Sequence, residues 1–182
     1  MSTEQPAPTH PEPGPSAEAP VPLALREPAH RVCPRAVNYW RTTSALGGLV
    51  EIAIAVTVYV LVPARPWWAT ALLVLVVVPA LLHPFVVPPI KYRVHRWEVD
   101  DLAVHTREGW LTVETRIAPL NRVQTVDSQQ GPLMRVFGLA SITVTTASAA
   151  GPITIEGLDA TQARELVARL TAITGTSEDD AT

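Results

Sequence analysis

"TSALGGLVEIAIAVTVYVLV", residues Thr43–Val62, and "WWATALLVLVVVPALLHPFVV", residues Trp67–Val87, are the two long apolar runs of this 182-residue sequence. A helix that crosses a hydrocarbon core of about 30 Å needs about 20 apolar residues, because each residue adds about 1.5 Å. Both runs have that length, and "PARP" (Pro63–Pro66) between them is typical of a tight turn. Two buried helices of a soluble protein are the alternative, but the remaining chain is too short to cover them. The sequence therefore predicts a transmembrane helical hairpin over residues 43–87.

Glu51 is the only formally charged residue inside either run. Intramembrane carboxylates are costly and usually face protein. If the hairpin folds symmetrically, Glu51 lies level with Val78 and Pro79, and Pro79 leaves the carbonyl of Leu75 without its helical partner. A protonated Glu51 could donate to that carbonyl and join the two helices, while an oligomer contact and a proton-linked function stay open as alternatives. His83 lies nearer the inner face, where water can reach it.

Basic residues outside the runs predict the orientation of the hairpin, since cytoplasmic flanks are rich in arginine and lysine. Four arginines precede the first run: Arg26, Arg31, Arg35 and Arg41. Four basic residues follow the second run: Lys91, Arg93, Arg96 and Arg107. The turn between the runs holds only Arg65. We therefore expect a plasma-membrane protein with both termini cytoplasmic. Tyr39 and Trp40 would anchor the inner interface, and Trp67 and Trp68 the outer one.

The ends of the chain have a different composition. Residues 1–28 are rich in proline and poor in apolar side chains, which is typical of a disordered tail, and residues 29–42 form a juxtamembrane segment. Residues 176–182 are expected to be an acidic, disordered tail that carries the net charge of −3. No segment is basic enough to indicate nucleic-acid binding. Cys33 is the only cysteine, so no intrachain disulfide can form.

Residues 90–175 change to short β-branched runs, beginning with "KYRVHRWEV" and "LAVHTRE" around a turn at Asp100 and Asp101. "WLTVETRI" alternates with Leu111, Val113, Thr115 and Ile117 on one face. The chain then turns helical, with Asp159 as N-cap and Gly175 as the expected end. The apolar stripe of this last helix comprises Ala163, Leu166, Val167, Leu170 and Ile173. The pattern predicts six or seven antiparallel strands in a barrel or sandwich, capped by a C-terminal helix.

Several motifs resemble the bacterial pleckstrin-homology (PH) membrane proteins of the YdbS-like group. They are "RIAPLNRVQTV", "QGPLMRVFGLASITVTTA", "IEGLDATQAREL" and the pre-membrane segment "HRVCPRAVNYWR". The resemblance covers about residues 30–175 and implies a PH-like β domain on the inner face of the plasma membrane. It also implies a partner, since members often work beside a larger relative with several such domains. The resemblance does not by itself imply an activity.

Arg116–Leu139 carries the family-like motif and holds the residues of most interest. We interpret Arg116, Pro119, Gly131, Pro132 and Gly138 as structural, the prolines and glycines through turn and strand-end geometry. In the polar run that follows the first proline, Val123 and Val126 are expected to point inward. Arg122 and Gln124 would then point outward, and they are the candidate partner-facing residues of an exposed strand.

Signals for catalysis and cofactors are weak. Ser128, His105 and Asp127 have no nucleophile elbow or triad order, and His95 with His105 across the first hairpin would make an incomplete zinc set. We therefore expect no catalytic, metal or cofactor site. The leading hypothesis is a non-catalytic, membrane-anchored interaction module that forms part of a complex, and a homo-oligomer is a further hypothesis. The alternatives are a subunit of a transport or export system and a sensor of anionic lipid surfaces.

Overall fold

The computed structural model describes residues 27–64, 66–147 and 151–179. The predicted disordered tail, residues 1–28, falls almost wholly outside this part of the chain, as do the last three residues of the predicted acidic tail. Two long helices come first, and a mainly antiparallel β domain with a C-terminal helix follows. The predicted fold class is confirmed.

The two helices are longer than the apolar runs that predict them. Helix α1 spans Arg35–Leu61 and helix α2 spans Trp67–Val94. By length and composition both can cross a membrane, and most of their apolar side chains are exposed, as a lipid-facing surface requires. Helix α1 therefore begins eight residues before Thr43, inside the segment that the sequence indicates as juxtamembrane.

Helix α2 contradicts the prediction that strand structure begins near Ile90. It continues through Pro88 and Pro89 to Val94. A proline removes one backbone donor and bends a helix, but membrane helices tolerate it where neighbouring groups compensate. Pro84 and Pro88 are buried, so packing against the rest of the protein holds this part of the helix.

Close backbone packing joins α1 to α2. A Cβ added at Gly48 would lie 3.0 Å from the carbonyl oxygen of Ala80, so the two helices approach closely at this point. Small residues allow such approach in membrane helix pairs. The hydroxyls of Tyr59 and Thr70 lie 3.0 Å apart nearer the turn. These two contacts fix the alignment of the hairpin.

The β domain consists of two antiparallel sheets. The first has the order β1-β2-β3-β4, with β1 at His30–Arg31, β2 at Arg96–Val99, β3 at Ala103–Gly109 and β4 at Val113–Pro119. The second has the order β5-β6-β7, with β5 at Val123–Gln129, β6 at Leu139–Thr146 and β7 at Ile153–Asp159. A 3₁₀ turn, Leu120–Arg122, joins the sheets, and the short helix α3, Pro132–Val136, joins β5 to β6.

The core of the domain includes residues from before and within the first membrane helix. Val32, Ala36 and Trp40 are buried in the same apolar cluster as Val104 and Ile142 of the two sheets. Strand β1 also joins the segment before α1 to the β domain, because His30 pairs with Trp97 at the edge of the first sheet. The β domain therefore does not begin at residue 90, because part of its core comes from residues 30–40.

The C-terminal helix α4 spans Ala160–Asp179. Its predicted N-cap is confirmed, since the Asp159 carboxylate accepts a hydrogen bond of 2.9 Å from the backbone N–H of Thr161. Ala163, Leu166 and Leu170 are buried against the core. The predicted end at Gly175 is wrong, because the helix continues for another turn.

The apolar face of β4 is exposed rather than buried. Residues opposite each other in an antiparallel pair share a face, and Ala118 pairs with the buried Val104 of β3. The alternate set faces outward as a result, and Val113 and Ile117 are 44% and 43% exposed. Pairing with β3 decides which face of this strand is covered, and the apolar pattern alone misleads.

Candidate functional site

A cluster of aromatic and charged groups forms the junction between the helices and the β domain. The Lys91 ammonium on α2 lies 4.5 Å from the centre of the Trp40 ring and 2.8 Å from a carboxylate oxygen of Glu156 on β7. The His95 ring packs edge-on against Trp40 at 5.3 Å. These contacts connect α1, α2 and β7 at one point.

His95 is the buried histidine of this junction, with only 4% of its surface exposed. Its Nδ1 lies 2.9 Å from the backbone carbonyl of Lys91. Burial, followed by the positive charge of Lys91, lowers the pKa of His95 to about 4. The ring is therefore neutral at physiological pH and serves as a packed core group.

Strand β7 approaches α1 closely beside the same junction. The backbone N–H of Cys33 donates to the carbonyl of Gly157 at 2.9 Å. Gly157 has φ +74°, and a Cβ there would lie 2.8 Å from the Cβ of Ala36. Glycine is required on both counts. Arg35 adds an ion pair with Asp159, the cap of α4.

Local sequence patterns do not predict the junction. They indicate a membrane-interface anchor at Trp40 and, at Lys91, only a charge that sets orientation. One signal was available, because a glycine interrupts the β-branched run at Gly157 and glycine inside a strand often marks a bulge or a close backbone approach. The register of β6 with β7 does shift at this position.

Acidic side chains surround the junction on the side of the β3–β4 hairpin. Lys91, Glu108, Glu114 and Glu156 line a shallow depression there. Burial, and then the charge of Glu156, raises the pKa of Glu108. The depression therefore has an acidic rim with a single lysine among the residues that line it.

Arg116 links the two sheets, which agrees with a structural interpretation. Its Nε donates to Glu114 at 2.8 Å, and its Nη1 donates to the carbonyl of Pro152, before β7, at 3.2 Å. It lies in an open groove of about 620 Å³ between β4 and the second sheet, which Arg122 and Ile153 also line. Residues 148–150 beside this groove lie outside the described part of the chain.

Arg122 and Gln124, the candidate partner-facing residues, are both exposed. Arg122 ends the 3₁₀ turn, and Gln124 is the extra residue of a bulge between Val123 and Thr125. Val123 packs against the core from the other side. Strand β5 is the edge of its sheet, and its outer edge pairs with no strand in the described residues.

The glycines and prolines of the motif differ in their backbone conformation and in their positions within the elements. Gly138 has φ +63°, which favours glycine. Pro119 ends β4, the last strand of its sheet, and Pro132 is the first residue of α3. Gly131 contradicts the geometric interpretation, because its φ is −66° and a Cβ would meet nothing within 4 Å.

Within the membrane helices, Glu51 does not join α1 to α2. Its side chain is exposed, and no hydrogen bond to the Leu75 carbonyl is present. The expected link fails because Gly48, Ile52 and Ala55 form the more covered side of α1, and Glu51 lies at its flank. His83 is also exposed, and its ring packs edge-on against Trp110 at 6.4 Å.

The two histidines considered for zinc do not face each other. His105 pairs with Glu98 across β2 and β3, and its Nε2 lies 3.1 Å from Asp100, whereas His95 ends α2. Among the described residues, no group of three or more His, Cys, Asp or Glu side chains could hold a metal ion. Ser128 on β5 pairs with Ile142 of β6 and is exposed, and His105 lies on the other sheet.

Two membrane-length helices precede two antiparallel sheets and a capping helix. This order of elements agrees with the protein family that the sequence matches. The bacterial PH domain family profile matches residues 45–173, which include most of α1, all of α2, strands β2 to β7 and most of α4. The chain belongs to the bacterial PH domain family. The predicted resemblance is confirmed.

A curated relative extends the match beyond the family profile. The chain is 30% identical over 154 residues to the UPF0699 transmembrane protein YdbS of Bacillus subtilis (strain 168). The match covers 81% of this chain and 96% of that protein. No solved structure matches the chain significantly. This bacterial PH domain protein is therefore similar, over most of its length, to a transmembrane protein.

Proposed function

We propose that this bacterial PH domain protein is a non-catalytic interaction module of the plasma membrane, with both termini and the β domain on the cytoplasmic side. The excess of arginine and lysine at the domain-side ends of the helices supports this orientation. Its function is to hold a partner protein at the membrane surface, as a subunit of a larger complex.

The observation that carries the proposal is the shared core of the helices and the β domain. Trp40, Lys91 and Glu156 tie three elements together, and Ala36 packs directly beneath Gly157. A flexible tether would let the domain rotate freely above the membrane. The observed junction fixes its orientation, so one edge of the domain is always presented in the same direction.

Strand β5 is the edge that we assign to the partner. Its outer edge offers backbone donors and acceptors to an added strand, which is a common mode of peptide recognition. The strand is polar and almost wholly exposed, and the bulge at Gln124 protects it against uncontrolled self-pairing. We infer a partner that pairs along β5 and contacts Arg122 and Gln124.

The test is a charge reversal with a matched control. Arg122→Glu with Gln124→Glu should leave the unfolding midpoint of the detergent-solubilised protein unchanged and abolish recovery of the co-purifying partner. The control is Arg164→Glu with Gln162→Glu, the same two changes on the exposed face of α4. Loss of the partner from both variants, or from neither, contradicts the assignment of β5.

Orientation needs a separate measurement. In a Cys33→Ala background, a cysteine at Ala64 in the turn should react with a membrane-impermeant maleimide on intact cells. A cysteine at Leu102, in the exposed β2–β3 turn, should react only after permeabilisation. The reverse pattern would place the β domain outside and overturn the proposal.

The transport or export alternative has one observation in its favour, the exposed Glu51. A carboxylate on the outer surface of the hairpin is costly in lipid, so a helix of another subunit is expected to cover it. Glu51→Gln keeps the hydrogen-bonding capacity and removes the acidity. If that variant retains the complex but loses transport, the alternative is favoured, and if it retains both, Glu51 serves only as a contact.

A further inference from the structure

The turn between β3 and β4 projects three residues away from the sheet. Gly109 pairs with Val113, so Trp110, Leu111 and Thr112 form the tip. Gly109 has φ +125°, and a Cβ there would lie 1.9 Å from the carbonyl oxygen of Thr112. Only glycine permits this turn, so the shape of the tip is built into the fold.

The tip carries apolar side chains that the domain does not cover. Trp110 is 45% exposed, Leu111 is 79% exposed and Val113 is 44% exposed. Isolated exposed apolar residues are common on soluble surfaces, but three within four residues, two in the tip and one at the start of β4, concentrate apolar surface at this end of the hairpin, which indicates a contact.

The position of the tip beside α2 shows what it contacts. The Trp110 ring lies 6.4 Å from the ring of His83, in an edge-on arrangement. His83 follows Trp67 by sixteen residues, which is about 24 Å along the helix at about 1.5 Å per residue. A hydrocarbon core is about 30 Å thick. If Trp67 lies at the far interface, Trp110 lies near the boundary of the hydrocarbon core on the domain side.

The surface of α2 beyond His83 supports the same position. Phe85 and Val86 are closer to the β domain along the helix, and they are 71% and 49% exposed. These side chains need lipid around them, so the membrane extends past the level of Trp110. The tip therefore lies alongside a lipid-facing part of the helix.

We propose that Trp110, Leu111 and Val113 form a third membrane attachment, inserted into the interface of the leaflet nearest the β domain. Tryptophan favours this region because its ring is apolar and its N–H is polar. Helices α1 and α2 hold the domain through the junction, and the inserted tip would add a contact between the domain and the lipid. The orientation of the β5 edge relative to the membrane would follow.

The attachment is apolar and does not recognise anionic headgroups. Glu108 and Glu114 flank the tip, and the formally charged side chains that line the depression beside it are three glutamates and one lysine. Such a surface repels anionic lipid at close range. Insertion should therefore be as deep in a zwitterionic bilayer as in an anionic one.

A spin-label measurement tests this attachment. In a Cys33→Ala background, a nitroxide at Leu111→Cys in phosphatidylcholine proteoliposomes should collide with oxygen more than with a water-soluble nickel chelate. The control is a nitroxide at Leu102→Cys. Leu102 is 75% exposed and lies at the other end of β3, about 20 Å away at about 3.4 Å per residue. The oxygen-to-nickel ratio should be several-fold higher at residue 111.

Equal ratios at the two positions would overturn the proposal, because the tip would then lie in water. A second label at Val113→Cys gives the same comparison if the Leu111 variant fails to fold. Adding phosphatidylglycerol to the vesicles should leave the ratio unchanged. A high ratio that appears only with phosphatidylglycerol would overturn the apolar basis of the attachment.

Discussion

Trp40→Ala should destabilise the β domain although Trp40 belongs to a membrane helix. The side chain is 6% exposed and contacts Lys91 and His95, and a Cβ added at Gly157 would lie 3.5 Å from its ring. Truncating a buried tryptophan to alanine costs about 3–5 kcal/mol. The cation–π contact with Lys91 is lost as well, and such a contact contributes about 0.5–1 kcal/mol in comparable measurements. We expect the free energy of unfolding of the domain to fall by about 4 kcal/mol.

The assay is urea unfolding in a mild detergent, followed by pulse proteolysis of the β domain. With a denaturant slope of about 1–3 kcal/mol/M, the midpoint should fall by more than about 1 M. Trp68→Ala is the matched control, since Trp68 is on the far end of α2 and 56% exposed. Equal midpoints for the two variants would refute the claim that α1 supplies part of the core.

Three further changes test other parts of the fold in the same assay. Gly157→Ala should cost at least about 1–2 kcal/mol because of the positive φ at this position, and more because of the clash with Ala36. Gly131→Ala is the control and should change the stability by no more than about ±0.5 kcal/mol. Equal effects of the two substitutions would refute the close approach of β7 to α1. The pKa of His95 is about 4 in the folded protein, below its ordinary value of about 6.5, so the unfolded state binds more protons between these two values. The free energy of unfolding should therefore fall by at most about 3 kcal/mol as the pH falls from 6.5 to 4. His95→Gln should remove this part of the pH dependence, and an unchanged slope in that variant would contradict the assignment. Leu170→Ala should cost about 2–5 kcal/mol, because this side chain of the capping helix α4 is fully buried against the core. A midpoint equal to that of the parent would show that α4 is not a cap.

Local patterns predicted the elements of this protein well. Two apolar runs of membrane length give the hairpin, and the stripe of Ala163, Leu166 and Leu170 with its Asp159 cap gives the last helix. These signals are local in the chain, and each depends on only a few neighbouring residues. The same is true of the polar run before Gln130, whose residues Arg122 and Gln124 are indeed exposed.

The features that sequence reasoning missed depend on contacts between distant segments. Trp40 and Lys91 are separated by a whole hairpin, and only the fold shows that their side chains stack. The face of β4 follows from its register with β3 and not from its own alternation. The exposure of Glu51 depends on how α1 rotates against α2, which Gly48 and Ala80 decide by close packing.

Photo-crosslinking at Gln124 in living cells tests whether a partner binds along β5. A photoreactive amino acid at this position should yield one discrete crosslinked product, and Arg122→Glu should remove it. The same amino acid at Gln162, an exposed glutamine on α4, should yield none. A product from Gln162 but not from Gln124, or no product from either, would contradict the proposal that this membrane-held PH domain binds its partner along β5.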